Sequence, residues 1–341
     1  MKSNSKNAGR KGQAASGEAQ STDANKTKQL LLVLSSFAAK GVKATAKQQI
    51  EEVKTLIAAG ADVNAVNEYG RSALIIAAFN PKRNVLKALI GAGADVNVAD
   101  ERGWTPLIAV ASETADFALI KLLLDAGADV NAQTTYGWTA LMYALEQPNV
   151  STELVKLLLD AGADVNVVET EEGGFSALMI AACGDNTDIV KLLLDAGADV
   201  NERYCFGQTP LAFAVQNSPN PDIIRILGAA GSDVDDKNTK GESLLSIAVV
   251  SDARAGKVKA LLDVGSDVNS GDLQGCTPLM AASENTSDPA VIRMLIDAGA
   301  NVNATDTQGR TAADYLERNK KLQKLASYPK LREELTPTVV E

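Results

Sequence analysis

The chain has 341 residues, which is enough for two ordinary domains or for one elongated array. Its net charge of −10 argues against an extended nucleic-acid-binding surface, and its lack of histidine removes the most common general base and metal ligand. Cys183, Cys205 and Cys276 form no Cys-x-x-Cys pair, so we expect reduced thiols rather than a disulfide framework or a zinc site.

The N-terminal residues differ from the rest of the chain in composition. Residues 1–27 carry almost no apolar side chain, which predicts a disordered, basic tail. Residues 28–60 predict a helix pair that caps an array. The apolar run 30–39 also resembles a secretion signal, but Lys40 and Lys43 interrupt the expected cleavage region. We therefore expect a cytoplasmic protein, with secretion as the alternative, and no membrane insertion, since no run approaches ~18 apolar residues.

A short sequence pattern recurs through the chain. Gly-Ala-Asp-Val-Asn or a close relative of it begins at Gly60, Gly93, Gly127, Gly162, Gly197, Gly231, Gly265 and Gly299. The spacing is close to 34 residues throughout. A fixed period of this length is the signature of a repeat architecture, in which neighbouring copies bury a shared core.

A second pattern keeps the same period and marks the start of a helix. A glycine, one variable residue and Ser or Thr precede an apolar run, as in Gly103-Trp104-Thr105-Pro106-Leu107. The hydroxyl can cap the first turn, and proline fits the first helical position. The pattern predicts repeats that start near residues 70, 103, 137, 174, 207, 241 and 275.

A second helix follows in each copy and ends at the recurring glycine. Asn80-Pro81, Asn220-Pro221 and Asp288-Pro289 each predict a cap followed by the first helical residue. The glycine suits the left-handed position that ends a helix. Residues 309–335 predict a charged C-terminal cap, so that the whole array covers residues 28–335, and residues 336–341 predict a flexible end.

Helix, turn, helix and extended finger at this period resemble the ankyrin-repeat family. The resemblance implies an all-α repeat solenoid, an array of stacked helix-turn-helix units with β-hairpin fingers. It also implies that the fingers and first helices form a concave surface for protein partners. One departure is the absence of the family's histidine, whose place holds Ile75, Ile108, Met142, Met179, Ala212, Ser246, Met280 and Asp314. We expect apolar packing to replace its hydrogen bonds at most of these positions.

No pattern for catalysis, cofactor binding or metal binding emerges. The chain has no phosphate-binding glycine loop and no nucleophile with a histidine base, so we expect a non-enzymatic protein without cofactor or metal. The acids of the repeat, Asp62 among them, form a regular row that could suggest calcium. Ala73 stands where the bidentate glutamate of a calcium loop should be, so we interpret these acids as turn residues that bond the backbone.

The aromatic residues concentrate in the predicted fingers, which hold both tryptophans of the chain. Trp and Tyr are typical interface anchors, and adjoining polar residues complete the predicted surface. The predicted partner-binding residues are Tyr69, Arg71, Arg102, Trp104, Tyr136, Trp138, Phe175, Tyr204, Phe206 and Gln208. The alternative is that neighbouring fingers stack these rings against one another.

The expected function is therefore that of a monomeric module that binds another protein, whose identity the sequence leaves open, and no nucleic acid. The alternative is a structural or inhibitory scaffold that uses its tail or terminal caps, including an exported effector that acts on a protein of another cell.

Overall fold

The computed structural model describes residues 10–36, 46–170, 174–204, 207–250 and 255–336, and the side chains of α1 only from residue 23 onward. Its contacts divide the chain into two compact units, Met1–Asp164 and Val165–Glu341.

The first unit consists of helix pairs. Its helices are α1 (Arg10–Ser36), α2 (Ala46–Ala58), α3 (Ala73–Ala78), α4 (Arg83–Gly91), α5 (Pro106–Glu113), α6 (Phe117–Asp125), α7 (Ala140–Glu146) and α8 (Thr152–Asp160). The first helices of successive repeats pack in the order α3, α5, α7, and α1 contacts both α2 and α3.

The second unit repeats the same arrangement. Its helices are α9 (Ala177–Cys183), α10 (Thr187–Asp195), α11 (Pro210–Asn217), α12 (Pro221–Ala229), α13 (Leu244–Val250), α14 (Ala255–Asp263), α15 (Pro278–Asn285), α16 (Pro289–Asp297), α17 (Ala312–Leu316) and α18 (Tyr328–Leu335), with a 3₁₀ helix at Leu322–Lys324. First helices pack on first helices and second helices on second helices along this series.

The predicted starts of the first helices are confirmed. Ser72 and Thr105 have extended backbones, and each hydroxyl accepts a backbone N–H from the first turn, as Thr105 Oγ1 does from Ile108 N at 3.3 Å. The helices that follow are short and apolar, and Leu74 and Leu107 are almost fully buried. Because one helix pair cannot cover these side chains, each repeat is stabilised by its neighbours.

Two of the three predicted caps of second helices are confirmed. Asn220 and Asp288 accept backbone N–H groups, with Pro221 and Pro289 in the first turn. The cap at Asn80-Pro81 is wrong, because Lys82 has an extended backbone (φ −113°, ψ 110°) and α4 begins only at Arg83. Lys82 is the N-cap and makes no side-chain cap hydrogen bond.

The expected boundary of the N-terminal tail also differs from the structure. Helix α1 already begins at Arg10, so residues 10–27 of the predicted disordered tail are helical, while residues 1–9 and 337–341 lie outside the described residues. The stretch lacks proline, and its four alanines, two glutamines and two lysines favour helix without needing apolar burial. Lys26 Nζ donates to Ala59 O at 2.6 Å and Asp62 N donates to Thr27 Oγ1 at 2.9 Å, so this part of α1 also contacts the turn after α2.

The Asp and Asn of the recurring pattern have two separate roles. Asp95 Oδ1 accepts Asn97 N at 2.9 Å, which confirms the turn interpretation of the acids. Asn97 then reaches the next repeat, where its Nδ2 donates to Gly127 O at 3.0 Å and its Oδ1 accepts Asp129 N at 2.7 Å. The same pair of bonds is made by Asn64, Asn131, Asn166, Asn201 and Asn269.

These asparagines supply inter-repeat hydrogen bonds in an array that has no histidine. At most of the histidine positions the expected apolar packing is confirmed, since Ile75, Ile108 and Met142 are buried. The array therefore has inter-repeat hydrogen bonds in most of the turns after its second helices, although it lacks the family's histidine.

The C-terminal cap is held by buried polar side chains. Asn319 is 3% exposed, and its Nδ2 donates to Ser283 O at 3.0 Å and Thr286 O at 2.8 Å. Its Oδ1 accepts Lys321 N and Leu322 N, both at 3.1 Å. The first two bonds fix the loop after α17 against the preceding repeat, and the last two close the loop itself.

Candidate interaction surface

The fingers that the structure describes in full are tight turns organised by the side chain of their first residue. Asn67 Oδ1 accepts Tyr69 N at 2.9 Å and Arg71 N at 3.0 Å, and the turn closes with Gly70 N bonded to Asn67 O. Gly70 has φ +72°, a left-handed conformation that favours glycine. Where bridges close the described fingers they are isolated pairs, such as Val66 with Ser72, so these fingers are shorter than the expected β-hairpins.

Neighbouring fingers of the first unit are joined through their backbones. Glu101 N lies 3.5 Å from Tyr69 O, and Thr135 N donates to Arg102 O at 2.9 Å. The residues at the finger tips therefore have fixed spacing, and their side chains form a row.

Both predicted tryptophans pack inward from this row. The ring centroid of Trp104 lies 5.2 Å from that of Phe79 and 4.9 Å from that of Tyr143, and Trp138 lies 5.0 Å from Tyr143. Such tilted ring pairs stabilise a fold beyond their buried area. Trp104 and Trp138 are half-buried, and their rings join three successive repeats.

Other predicted residues of the first unit face solvent. Tyr69 is 59% exposed and Tyr136 is 38% exposed, and Arg102 is exposed as well. Arg71 is half-buried, because its Nε bonds Asp100 Oδ2 at 2.9 Å and its guanidinium lies over the Phe79 ring. The exposed members of the predicted surface in this unit are thus two tyrosines and one arginine.

The predicted residues of the second unit form a separate ring cluster. The Phe175 and Tyr204 centroids are 4.2 Å apart, and Phe213 lies 5.3 Å from Phe175 and 5.6 Å from Tyr204. Gln208 is half-buried, and its backbone carbonyl accepts Tyr204 N at 2.8 Å. Phe206 lies outside the described residues.

Sequence reasoning missed the rings that join the fingers, namely Phe79, Tyr143 and Phe213. Tyr143 and Phe213 are each the fourth residue of a first helix, α7 and α11. In the other first helices this position holds Ile or Ala, as in Ile76 and Ala109, except in α17, where it holds Tyr315. Counting positions from the capping Ser or Thr would have placed both rings opposite the fingers.

Burial raises the pKa of three ionisable side chains in the first helices and fingers, namely Tyr143, Cys183 and Cys276. Burial raises the pKa of the Tyr143 hydroxyl, a hydrogen bond with the Thr134 side chain lowers it in part, and the nearby Glu146 carboxylate raises it again. Burial and the Asp272 carboxylate raise the pKa of Cys276 to about 11. Burial also raises the pKa of Cys183, so both thiols stay protonated near neutral pH and are poor nucleophiles.

The part of the chain that the structure describes contains neither a metal-binding cluster nor a membrane-spanning helix. No group of three or more Cys, Asp and Glu side chains there is arranged to hold a metal ion. No helix in the described ranges has the length and apolar character needed to cross a membrane.

Stacked helix pairs joined by turns define an all-α repeat protein. The comparisons give the family: the model described as "Ankyrin repeats (3 copies)" matches residues 39–100, 80–169, 149–238, 211–306 and 245–322. The chain therefore belongs to the ankyrin-repeat family, and the predicted fold class is confirmed. A crystal structure of the human ASB11 ankyrin repeat domain is similar, with a TM-score of 0.57 and 27% identity over 69% of this chain and 100% of that one. No curated protein sequence gives a significant match.

Proposed function

We propose that this chain is a non-enzymatic module that binds a partner protein through the exposed finger tips of its first unit. Ankyrin repeats are in general protein–protein interaction modules. The observation that carries the proposal is the pairing of Arg102 and Tyr136 on neighbouring fingers, both exposed and joined through the Thr135 N–Arg102 O bond of 2.9 Å. Arg and Tyr are enriched among the residues that dominate binding energy.

The half-buried rings support the surface rather than form the whole of it. Trp104 and Trp138 pack on Tyr143, which fixes the finger backbones before a partner arrives. A preformed surface loses little conformational entropy on binding, so more of the contact energy stabilises the complex. The net charge of −10 favours a protein over a nucleic acid as the partner, and we expect a monomer.

The free thiols favour a particular cellular compartment for this protein. Cys183 and Cys276 are free and partly buried, which fits a reducing environment such as the cytoplasm.

The test compares partner capture by the full chain and by an Arg102→Ala/Tyr136→Ala variant, quantified by mass spectrometry. Both side chains are exposed, so the substitutions should change stability by less than about 0.5 kcal/mol. The matched control is Glu153→Ala/Lys156→Ala, on the exposed face of α8. We expect a partner that is recovered with the full chain and the control and reduced at least about tenfold with the variant. Equal recovery with all three would reject the finger tips as the binding surface.

A further inference from the structure

An open groove of about 820 Å³ lies between α1 and the first finger. Leu31 and Leu32 line it from α1, and Val66 and Tyr69 line it from the finger. Protein pockets for specific ligands have volumes of about 300–1,000 Å³, so the groove can hold several side chains. It lies beside the finger edge that faces α1, whereas the other edge of the same finger approaches Glu101.

Both walls of the groove are held in place by contacts outside it. Leu30 and Leu34 of α1 are buried, and α1 packs on α2 and α3. The bonds from Lys26 to Ala59 O and from Asp62 N to Thr27 fix α1 beside the turn that leads into the finger. The groove therefore exists before any ligand binds, which favours affinity.

Its apolar lining is exposed to solvent. Leu32 is 61% exposed, Val66 is 51% exposed and Tyr69 is 59% exposed. Single exposed apolar residues are ordinary, but three around one concave surface indicate a contact site.

The backbone of the first finger also has an unused donor. In the later fingers Glu101, Thr135, Leu273 and Thr307 direct their N–H groups at a carbonyl of the preceding finger, as Thr135 does at 2.9 Å. Glu68 has the equivalent position in the first finger. Its N–H makes no hydrogen bond within the described residues, and no described finger precedes it.

Charge narrows the chemistry of the ligand. Asp62 and Glu68 line the groove, are exposed, and form no ion pair among the described residues. Lys28 also lines the groove and carries the opposite charge. The nearby Lys26 is already paired with Asp23 at 3.0 Å. Asp62 Oδ1 accepts Asn64 N at 2.9 Å, but neither carboxylate is paired with a cation among the described residues, so this side of the groove favours a basic ligand.

We propose that this groove binds an extended segment of a partner protein that combines apolar residues with Lys or Arg. A backbone carbonyl of the segment accepts the Glu68 N–H, as a preceding finger would. An apolar side chain packs between Leu32, Val66 and Tyr69, and the basic residue pairs with Glu68 or Asp62. The groove shares Tyr69 with the exposed finger tips, but it does not involve Arg102 or Tyr136, the pair on which the proposed finger-tip surface rests.

The first experiment uses a phage-displayed library of random peptides of about twelve residues, selected on the full chain. Peptides that also bind a Leu32→Gln/Tyr69→Ser variant are subtracted. We expect the remaining peptides to combine large apolar residues with Lys or Arg. Remaining peptides that are acidic, or no peptide that distinguishes the two proteins, would overturn the proposal.

Affinities of the best synthetic peptide then test each contact. Leu32→Gln should weaken binding at least about tenfold, while Leu273→Gln, the same change at an exposed leucine of another finger, and Tyr136→Ser should not. Unchanged binding by Leu32→Gln, or equal loss in Leu273→Gln, would reject the groove. Loss of capture in the Arg102→Ala/Tyr136→Ala variant with intact peptide binding separates the two sites.

The backbone contact has its own pair of variants. Glu68→Ala removes the carboxylate and keeps the N–H, whereas Glu68→Pro removes both at a turn position that accepts proline. We expect a further loss of about fivefold or more for the proline variant, and equal binding by the two would contradict the backbone contact.

A second copy of the chain is the competing occupant. If analytical ultracentrifugation shows concentration-dependent dimerisation, and Leu32→Gln abolishes it, the occupant is a second copy of the chain. That result would overturn the proposed partner segment.

Discussion

The two terminal caps of the array leave their outermost fingers in different states. At the N-terminal cap, Leu32, Val66 and Tyr69 remain exposed beside a backbone N–H that makes no hydrogen bond within the described residues. At the C-terminal cap, the Asp306 side chain is 1% exposed and is held by Arg310 Nη2 at 2.6 Å and the Tyr315 hydroxyl at 2.8 Å.

The comparison teaches that a cap can end a repeat array in two ways. A terminal repeat usually needs a polar outer face for solubility. At the C-terminal cap the buried Asp306 carboxylate is fully paired, and no exposed apolar groove flanks its finger among the described residues. The N-terminal cap meets the need for a polar face only in part, since helix α1 covers the core but leaves an apolar groove beside the first finger. An end that keeps exposed apolar surface is suited to binding, and an end with satisfied polar groups is suited to stability.

The largest expected effect on stability lies in the C-terminal cap. Asn319→Leu would leave the carbonyls of Ser283 and Thr286 and two backbone N–H groups without their buried partner. We expect a loss of about 3 kcal/mol, measured by urea denaturation followed by circular dichroism. The N-terminal counterpart, Thr27→Val, removes one exposed hydrogen bond and should cost about 0.5–1 kcal/mol. Equal losses in the two variants would remove the distinction between the caps.

The second prediction concerns acid. Burial would raise the pKa of Asp306, but hydrogen bonds from the Arg310 side chain and backbone and from Tyr315 outweigh it and hold this pKa well below its ordinary value. A carboxyl with a depressed pKa in the folded state stabilises the fold above its unfolded pKa of about 3.9, and this contribution is lost as the pH falls through the folded pKa.

Asp306→Asn isolates this contribution, and asparagine is suited to the turn because Asn67 organises the first finger from the same position. We expect the variant to be less stable than the natural chain at pH 7. The difference should shrink as the pH falls below about 4, in urea denaturation measured at a series of pH values. A difference that stays constant over this range would contradict the role assigned to the paired carboxylate.

The smallest effect is expected at the interior hydrogen bonds between repeats of the second unit. Asp235 stands where the other repeats have asparagine, and it accepts Asp267 N at 2.7 Å but has no proton for the carbonyl of Gly265. Asp235→Asn supplies that donor, so we expect a gain of about 0.5–1 kcal/mol in urea denaturation. Asn201→Asp makes the reverse change and is the matched control, which should lose a similar amount. A loss in Asp235→Asn would show that the asparagine bonds do not stabilise the array.

The sequence predicts the elements whose causes are local. The glycine, the capping Ser or Thr and the apolar run lie within a few residues, so the first helix of each repeat is found at its observed start, as at Thr105. The second role of Asn97 could not be read in this way, because its partners Gly127 and Asp129 lie about one repeat further along the chain. The start of α4 depends on the extended backbone of Lys82, which the preceding proline does not reveal.

The candidate surface shows the same limit. The finger position of Trp104 and Trp138 follows from the repeat, but their half-buried state depends on Tyr143, which lies between them on α7. The open groove follows from the length of α1, which was expected to begin at residue 28 rather than at Arg10. Both features depend on contacts between segments that are distant in sequence.

The most direct test of the open first finger is residue-resolved amide hydrogen exchange of the full chain by NMR. Thr135 N is bonded to the preceding finger at 2.9 Å and Thr307 N likewise at 2.9 Å, so both amides should exchange slowly. The Glu68 amide has no such partner and should exchange at least about tenfold faster than either. A Glu68 amide as protected as those of Thr135 and Thr307 would mean that this finger edge is already occupied, and would contradict the account.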